Sequence, residues 1–106
     1  MAVSYIYIIG GEVPPYKVGI SKDPKKRLKS LQTGHPYPLQ IHHVEETHIS
    51  MTKLLETTIH RHLKLHKTSG EWFNVELANL LLDLRYIILR YGDDPTLKSL
   101  LKHHII

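Results

Sequence analysis

Three features of this 106-residue chain predict an α+β domain, a small and mainly antiparallel β-sheet flanked by α-helices. Two β-branched and aromatic stretches lie close together near the start, joined by a loop rich in Gly and Pro. Further on, leucine and isoleucine recur at helical spacing. Turn residues punctuate the chain without a flexible linker or a repeat, which predicts elements packed around one core.

The first strand is predicted over residues 4–9, Ser-Tyr-Ile-Tyr-Ile-Ile, ending at Gly10-Gly11. Residues 16–20, Tyr-Lys-Val-Gly-Ile, give a second, and the short loop through Pro14-Pro15 favours an antiparallel hairpin. Alternation places Ile6, Ile8, Tyr16, Val18 and Ile20 on the core side, and Tyr5, Tyr7, Lys17 and Gly19 on the other. Ser21 or Asp23 caps the next segment and Pro24 suits the first helical position. That helix runs to about Thr33, with Gly34 as a left-handed cap before His35-Pro36-Tyr37-Pro38. Residues 39–46 alternate as a third strand.

Over residues 50–66, Met51, Leu55, Ile59 and Leu63 line one helix side, widened by Leu54 and Leu65, and Thr68-Ser69-Gly70 ends the helix. The same periodicity places His62 and His66 on the apolar face, as buried, hydrogen-bonded groups or at an interface with the carboxy-terminal helices. Residues 71–75 predict a short fourth strand, and 76–91 a long helix stopped by Gly92. Asp93 or Asp94, with Pro95, opens a last helix to about His104. The long helix has a main apolar face through Leu80, Leu84 and Ile87, and a second stripe of Leu82, Tyr86 and Leu89. The second stripe calls for cover by the terminal helix or by another copy of the chain, a homodimer through these helices. Residues 1–76 form the expected core, and 77–106 a helical extension packed on it.

Composition excludes several chemistries. Without cysteine there is no disulfide framework, thiolate zinc site or thiol nucleophile. Apolar runs fall short of the ~18–20 residues that span a bilayer, and no signal-like core follows the amino terminus, so the expectation is an intracellular protein without a membrane partner. The formal charge is +4, and residues 14–44 hold Lys17, Lys22, Lys25, Lys26, Arg27 and Lys29 against a single acid, Asp23. Such a local excess suits a polyanion, nucleic acid above all.

Tyr5-Ile6-Tyr7, Lys17-Val18-Gly19, Asp23-Pro24 leading to Arg27-Leu28, Leu31-Gln32-Thr33-Gly34 before Pro36, Leu55-Glu56 with His60 one turn later, and Glu71-Trp72-Phe73 follow one another in order. In that order they resemble the GIY-YIG nuclease superfamily, in particular its compact phage and viral branch, in which Lys-hydrophobic-Gly stands for Tyr-Ile-Gly. The resemblance covers roughly residues 4–75. It implies a divalent-metal-dependent endonuclease acting on DNA, with one Mg²⁺ or Mn²⁺ held by Glu56.

By the same resemblance Tyr7 is the general base or water-positioning group and Arg27 the phosphate clamp, a role suited to its planar guanidinium. Lys17 stands where the better-known pattern has a second tyrosine, which leaves open the group that accepts the proton. His60 suits contact with phosphate or with the ligand glutamate, because Mg²⁺ prefers oxygen. Gly19 lets substrate approach the backbone, Lys26 adds backbone attraction, His35 is a loop candidate for proton shuttling, and Asn74 a candidate for substrate positioning. The competing readings are a nucleic-acid-binding module that keeps the fold without the chemistry, and a regulatory protein-interaction domain using the leucine-rich tail.

Overall fold

A computed structural model of the chain describes residues 3–91. In chain order its elements are β1 (Val3–Gly10), β2 (Tyr16–Ser21), α1 (Pro24–Gln32), β3 (Gln40–His48), α2 (Ile49–His62), β4 (Lys67–Ser69), β5 (Trp72–Phe73) and α3 (Leu77–Tyr91), with a single 3-10 turn at Lys64–His66. The strands form one antiparallel sheet in the order β3-β1-β2-β5-β4. The α+β class is as predicted. The helix foreseen around residues 95–104 lies outside the described residues, and no described helix is long and apolar enough to cross a membrane.

β1 sits between two partners and has almost no exposed surface from Ile6 to Gly10. Register pairs Ile6 with Ile20, Tyr7 with Gly19, Ile8 with Val18 and Ile9 with Lys17, so the alternation read from the sequence is realised across the hairpin. One face, carrying Ile6, Ile8, Tyr16 and Val18, meets Met51, Leu55 and Ile59 of α2, then Leu63, Phe73 and, from α3, Leu80, Leu84 and Ile87. Each such side chain contributes roughly 1.5–3 kcal/mol through burial, which makes this layer the main source of stability. On the opposite face Tyr7 meets Arg27 of α1, a helix that buries none of its own residues fully.

Local chemistry explains α1. The Asp23 carboxylate accepts from Lys26 N–H at 3.1 Å, Pro24 occupies the first turn, and Gly34 closes the helix with φ +79°.

α2 departs from the predicted helix. It stops at His62, and the 3-10 turn that follows rotates the next residues out of phase. Leu65 is consequently 93% exposed instead of widening the core stripe. His62, at the end of α2, and His66, past the turn, are both exposed and so neither is buried, while His62 meets α3 through Asp83 Oδ1 at 3.5 Å, as an interface with the carboxy-terminal helices requires. Thr68-Ser69-Gly70 does more than end a helix: Lys67–Ser69 is β4, the turn passes Gly70 at φ +55°, and β5 returns against it. The sheet therefore has five strands where about four were expected.

Candidate functional site

The site gathers around residues 17–19 of β2, beyond the point where β5 stops pairing. β5 covers Tyr16 and Lys17, and Val18 N–H then donates to Glu71 O at 3.1 Å. The Val18 carbonyl is taken by His60 Nε2 at 2.8 Å. A carbonyl only accepts, so Nε2 carries a proton.

Glu56 lies one turn before His60 on α2, with only 2% of its surface exposed. Donor atoms of Glu56, His60 and Glu71 all lie within 4.8 Å of one another. Two ammonium groups balance the two carboxylates: Lys53 Nζ reaches Glu56 Oε1 at 2.9 Å, and Lys17 Nζ reaches Glu71 Oε1 at 2.7 Å. The Lys53 side chain is 78% exposed and that of Lys17 only 8%. The hydrogen bond to Glu56 raises Lys53 above its ordinary pKa. Burial pushes Glu71 up, but the Lys17 hydrogen bond and charge, with His60 and Lys53 behind them, outweigh it and leave Glu71 below the usual carboxylate value.

On the other face, Arg27 Nε donates to the Tyr7 hydroxyl at 3.4 Å. Tyr7 is only 1% exposed, and its ring lies across Gly19: a Cβ there would collide with the hydroxyl and stand 2.6 Å from Cζ. Glycine at position 19 is thus required by the tyrosine. An exposed Tyr7–Lys17 cross-strand pair is ruled out, since Tyr7 faces Gly19 in the register and both Tyr7 and Lys17 are buried. Lys17 shares the Tyr7 face, and its ion pair with Glu71 links that face to the Glu56–His60 cluster.

Tyr7, Lys17, Gly19, Arg27, Glu56 and His60 therefore converge on one stretch of β2. His35 stands apart, its ring stacked on Trp72 with centroids 6.0 Å apart. Lys26 is exposed on α1, and its backbone N–H serves the helix cap. Asn74 is exposed past β5, and its described hydrogen bond runs from the backbone N–H to His66 O, away from the cluster. Sequence reading missed Glu71 as a site residue, whereas a pairing of Glu56 with Lys53 is the alternative that the helix spacing offers to metal binding, and that pair is present. The i, i+3 spacing was the available signal for Lys53; for Glu71 it was the hairpin turn at Ser69-Gly70.

The donor set fits a hard divalent ion. Two carboxylates and one imidazole nitrogen suit Mn²⁺ well, and Mg²⁺ when waters complete its shell. Lys53 is mostly in water and would be the easier of the two ammonium groups for an ion to displace, whereas Lys17 is buried against Glu71. Glu56 would then be the principal ligand.

Fold and site together define a small α+β domain with a buried acid–imidazole cluster and a Tyr–Arg pair set along the same stretch of β2. The chain belongs to the T5orf172 domain family, whose model matches residues 4–87. It is 38% identical over 64 residues to a KilA-N domain-containing protein, 315L, of Invertebrate iridescent virus 6. That match takes in 59% of this chain and 28% of the viral protein, so the chain spans well under a third of its relative's length. No solved structure matches the chain.

Proposed function

We propose that this protein is a divalent-metal-dependent endonuclease of GIY-YIG type that hydrolyses DNA phosphodiester bonds. The observation that carries the reading is the buried Glu56, set with His60 and Glu71 beside the stretch of β2 on which the Tyr7–Arg27 pair rests. A carboxylate with 2% exposure is not a solvated surface acid, and it stands within 4.8 Å of two further groups able to hold a cation. The T5orf172 family membership and a viral relative named for its KilA-N domain support a nucleic-acid-directed role.

Arg27 spends Nε on Tyr7 and keeps its terminal nitrogens for a phosphate oxygen. The Tyr7 hydroxyl, oriented by that contact, would position the attacking water. Glu56, with His60 and Glu71 beside it, would hold the ion, which when bound would supply charge stabilisation at the scissile phosphate. Glu71 keeps Lys17 extended along the strand, and Lys17 adds positive charge below the phosphate. The basic face of α1 draws the nucleic acid in.

Plasmid nicking in Mg²⁺ or Mn²⁺ tests the reading. Wild-type protein is expected to nick, and Glu56→Gln to lower the rate on the order of 100-fold or more while folding and DNA binding persist. Equal nicking by Glu56→Gln overturns the assignment of Glu56. Salt-sensitive binding with no nicking by wild type would instead make the protein a binding module.

A further inference from the structure

The β5 alternation separates its two aromatic residues. Phe73 is buried in the core, whereas Trp72, paired with Lys17, lies on the face that carries Tyr7 and is half-buried. Its ring runs nearly parallel to that of His35, at 19°, in the loop after α1. Tyr37, in the same loop, is 69% exposed. These three rings border a groove of about 910 Å³, a volume typical of small-ligand sites. The Gln40 amide and the Ser69 hydroxyl line it as well, and Glu12 is its one charged lining residue.

The surroundings tell what kind of ligand fits. α1, which leads into the His35–Tyr37 loop, carries Lys25, Lys26, Arg27 and Lys29 and no acid. An aromatic, nearly uncharged groove beside a cationic helix is complementary to a planar heterocycle attached to phosphate. Along β2 only two residues, ~7 Å, separate Lys17 beside Trp72 from Gly19 beneath Tyr7. The groove and the Tyr7–Arg27 pair are thus within reach of neighbouring nucleotides on one strand. A base inside a duplex is stacked on both sides and offers no face to a protein ring, so the occupant must be unpaired.

We propose that the Trp72–His35 groove takes an unpaired base of single-stranded DNA, stacked on Trp72, next to the phosphate that Arg27 faces. It rests on the nucleic-acid part of the proposed function and sharpens it: the substrate carries a single-stranded or splayed segment beside the scissile bond.

Trp72 is the sole tryptophan, so its emission reports directly on the groove. Full-length Glu56→Gln protein in chelator, where no cleavage interferes, is titrated with an oligothymidylate of about 16 nucleotides, an abasic oligomer of equal charge and a blunt duplex. Affinities are read by anisotropy of a labelled strand. The oligothymidylate is expected to quench Trp72 and the abasic strand to leave it unchanged. Trp72→Leu is expected to weaken oligothymidylate binding about tenfold and duplex binding little. Should circular dichroism show Trp72→Leu unfolded, His35→Ala decides on the same readouts, since it keeps the tryptophan and removes the ring that stacks on it.

Unchanged emission with oligothymidylate, or unweakened binding by the variant, overturns the proposal. Plasmid nicking by wild type is scored separately: nicking without quenching sinks the groove alone, and quenching without nicking sinks the nuclease reading alone.

Discussion

A carboxylate with 2% exposure must be balanced, and at Glu56 the balancing charge comes from Lys53, which is itself mostly in water. Such a pair lets a divalent ion replace the ammonium without stranding a buried charge. Lys17 is different, because it is as buried as its position on a central hairpin dictates and depends on Glu71. Tyr16 offers a residue-level prediction. Burial, reinforced by the Glu76 carboxylate, holds its phenol above the ordinary value of 10.0. The folded chain therefore keeps the proton where the unfolded chain loses it, and the stability so gained is complete below pH 10.0 and is lost as pH rises beyond it. Urea midpoints measured from about pH 9 to about pH 11 should fall less steeply for Tyr16→Phe than for wild type. A parallel decline in the two proteins would show that this phenol does not govern alkaline unfolding. At this scale the sequence revealed the shared face of Tyr7, Lys17 and Gly19, because strand alternation is local; it did not reveal that Tyr7 is covered, because the covering groups come from α1.

The β4–β5 hairpin is the element on which the cluster depends. Glu71 is set by the turn at Gly70, whose φ of +55° disfavours any residue with a Cβ. A Cβ added there would meet nothing within 4 Å, so substitution costs backbone strain alone. Gly70→Ala should lower stability by about 1–2 kcal/mol in urea titrations, and it should weaken Mn²⁺ binding because Glu71 moves. Asn tolerates the left-handed region, so Gly70→Asn should recover part of both. An Ala variant with wild-type stability would mean that the turn relaxes without strain. Of its two strands the sequence marked only β5, inside the short strand read over residues 71–75. β4 has three residues and β5 two, all of β4 is exposed, and a hydrophobic pattern cannot mark a strand that buries almost nothing. α1 stands at the other extreme, since Asp23, Pro24 and Gly34 each act on their own neighbourhood.

Across the described residues, the two faces of the sheet carry helices of different character. The core layer packs α2 and α3 on one side of the sheet, while the basic helix α1 lies on the other, with Arg27 on Tyr7 and the aromatic groove at its far end. Lys26 is exposed on that helix. Lys26→Ala is expected to weaken DNA binding for all sequences alike and to make the plot of log K against log salt shallower by about one unit. An unaltered slope would remove α1 from the interface. The second stripe of α3, Leu82, Tyr86 and Leu89, remains exposed in the described part of the chain.

The sequence by itself determined the α+β class, the first hairpin and its faces, the limits of α1 and the apolar face of α3, since each follows from periodicity or capping within a few neighbouring residues. It also brought Tyr7, Arg27 and Glu56 forward as the groups to examine. Tertiary structure alone decided that Glu71 meets Glu56 and His60, that Lys17 is bound to Glu71 and that Trp72 faces a groove while Phe73 enters the core. Tertiary structure also turned Leu65 and His66 outward, through the 3-10 turn that breaks the phase of α2, and set His62, still within α2, against Asp83 of α3. The physical reason is distance along the chain: Lys17 and Glu71 are 54 residues apart, and only closure of β5 against β2 brings their charges together.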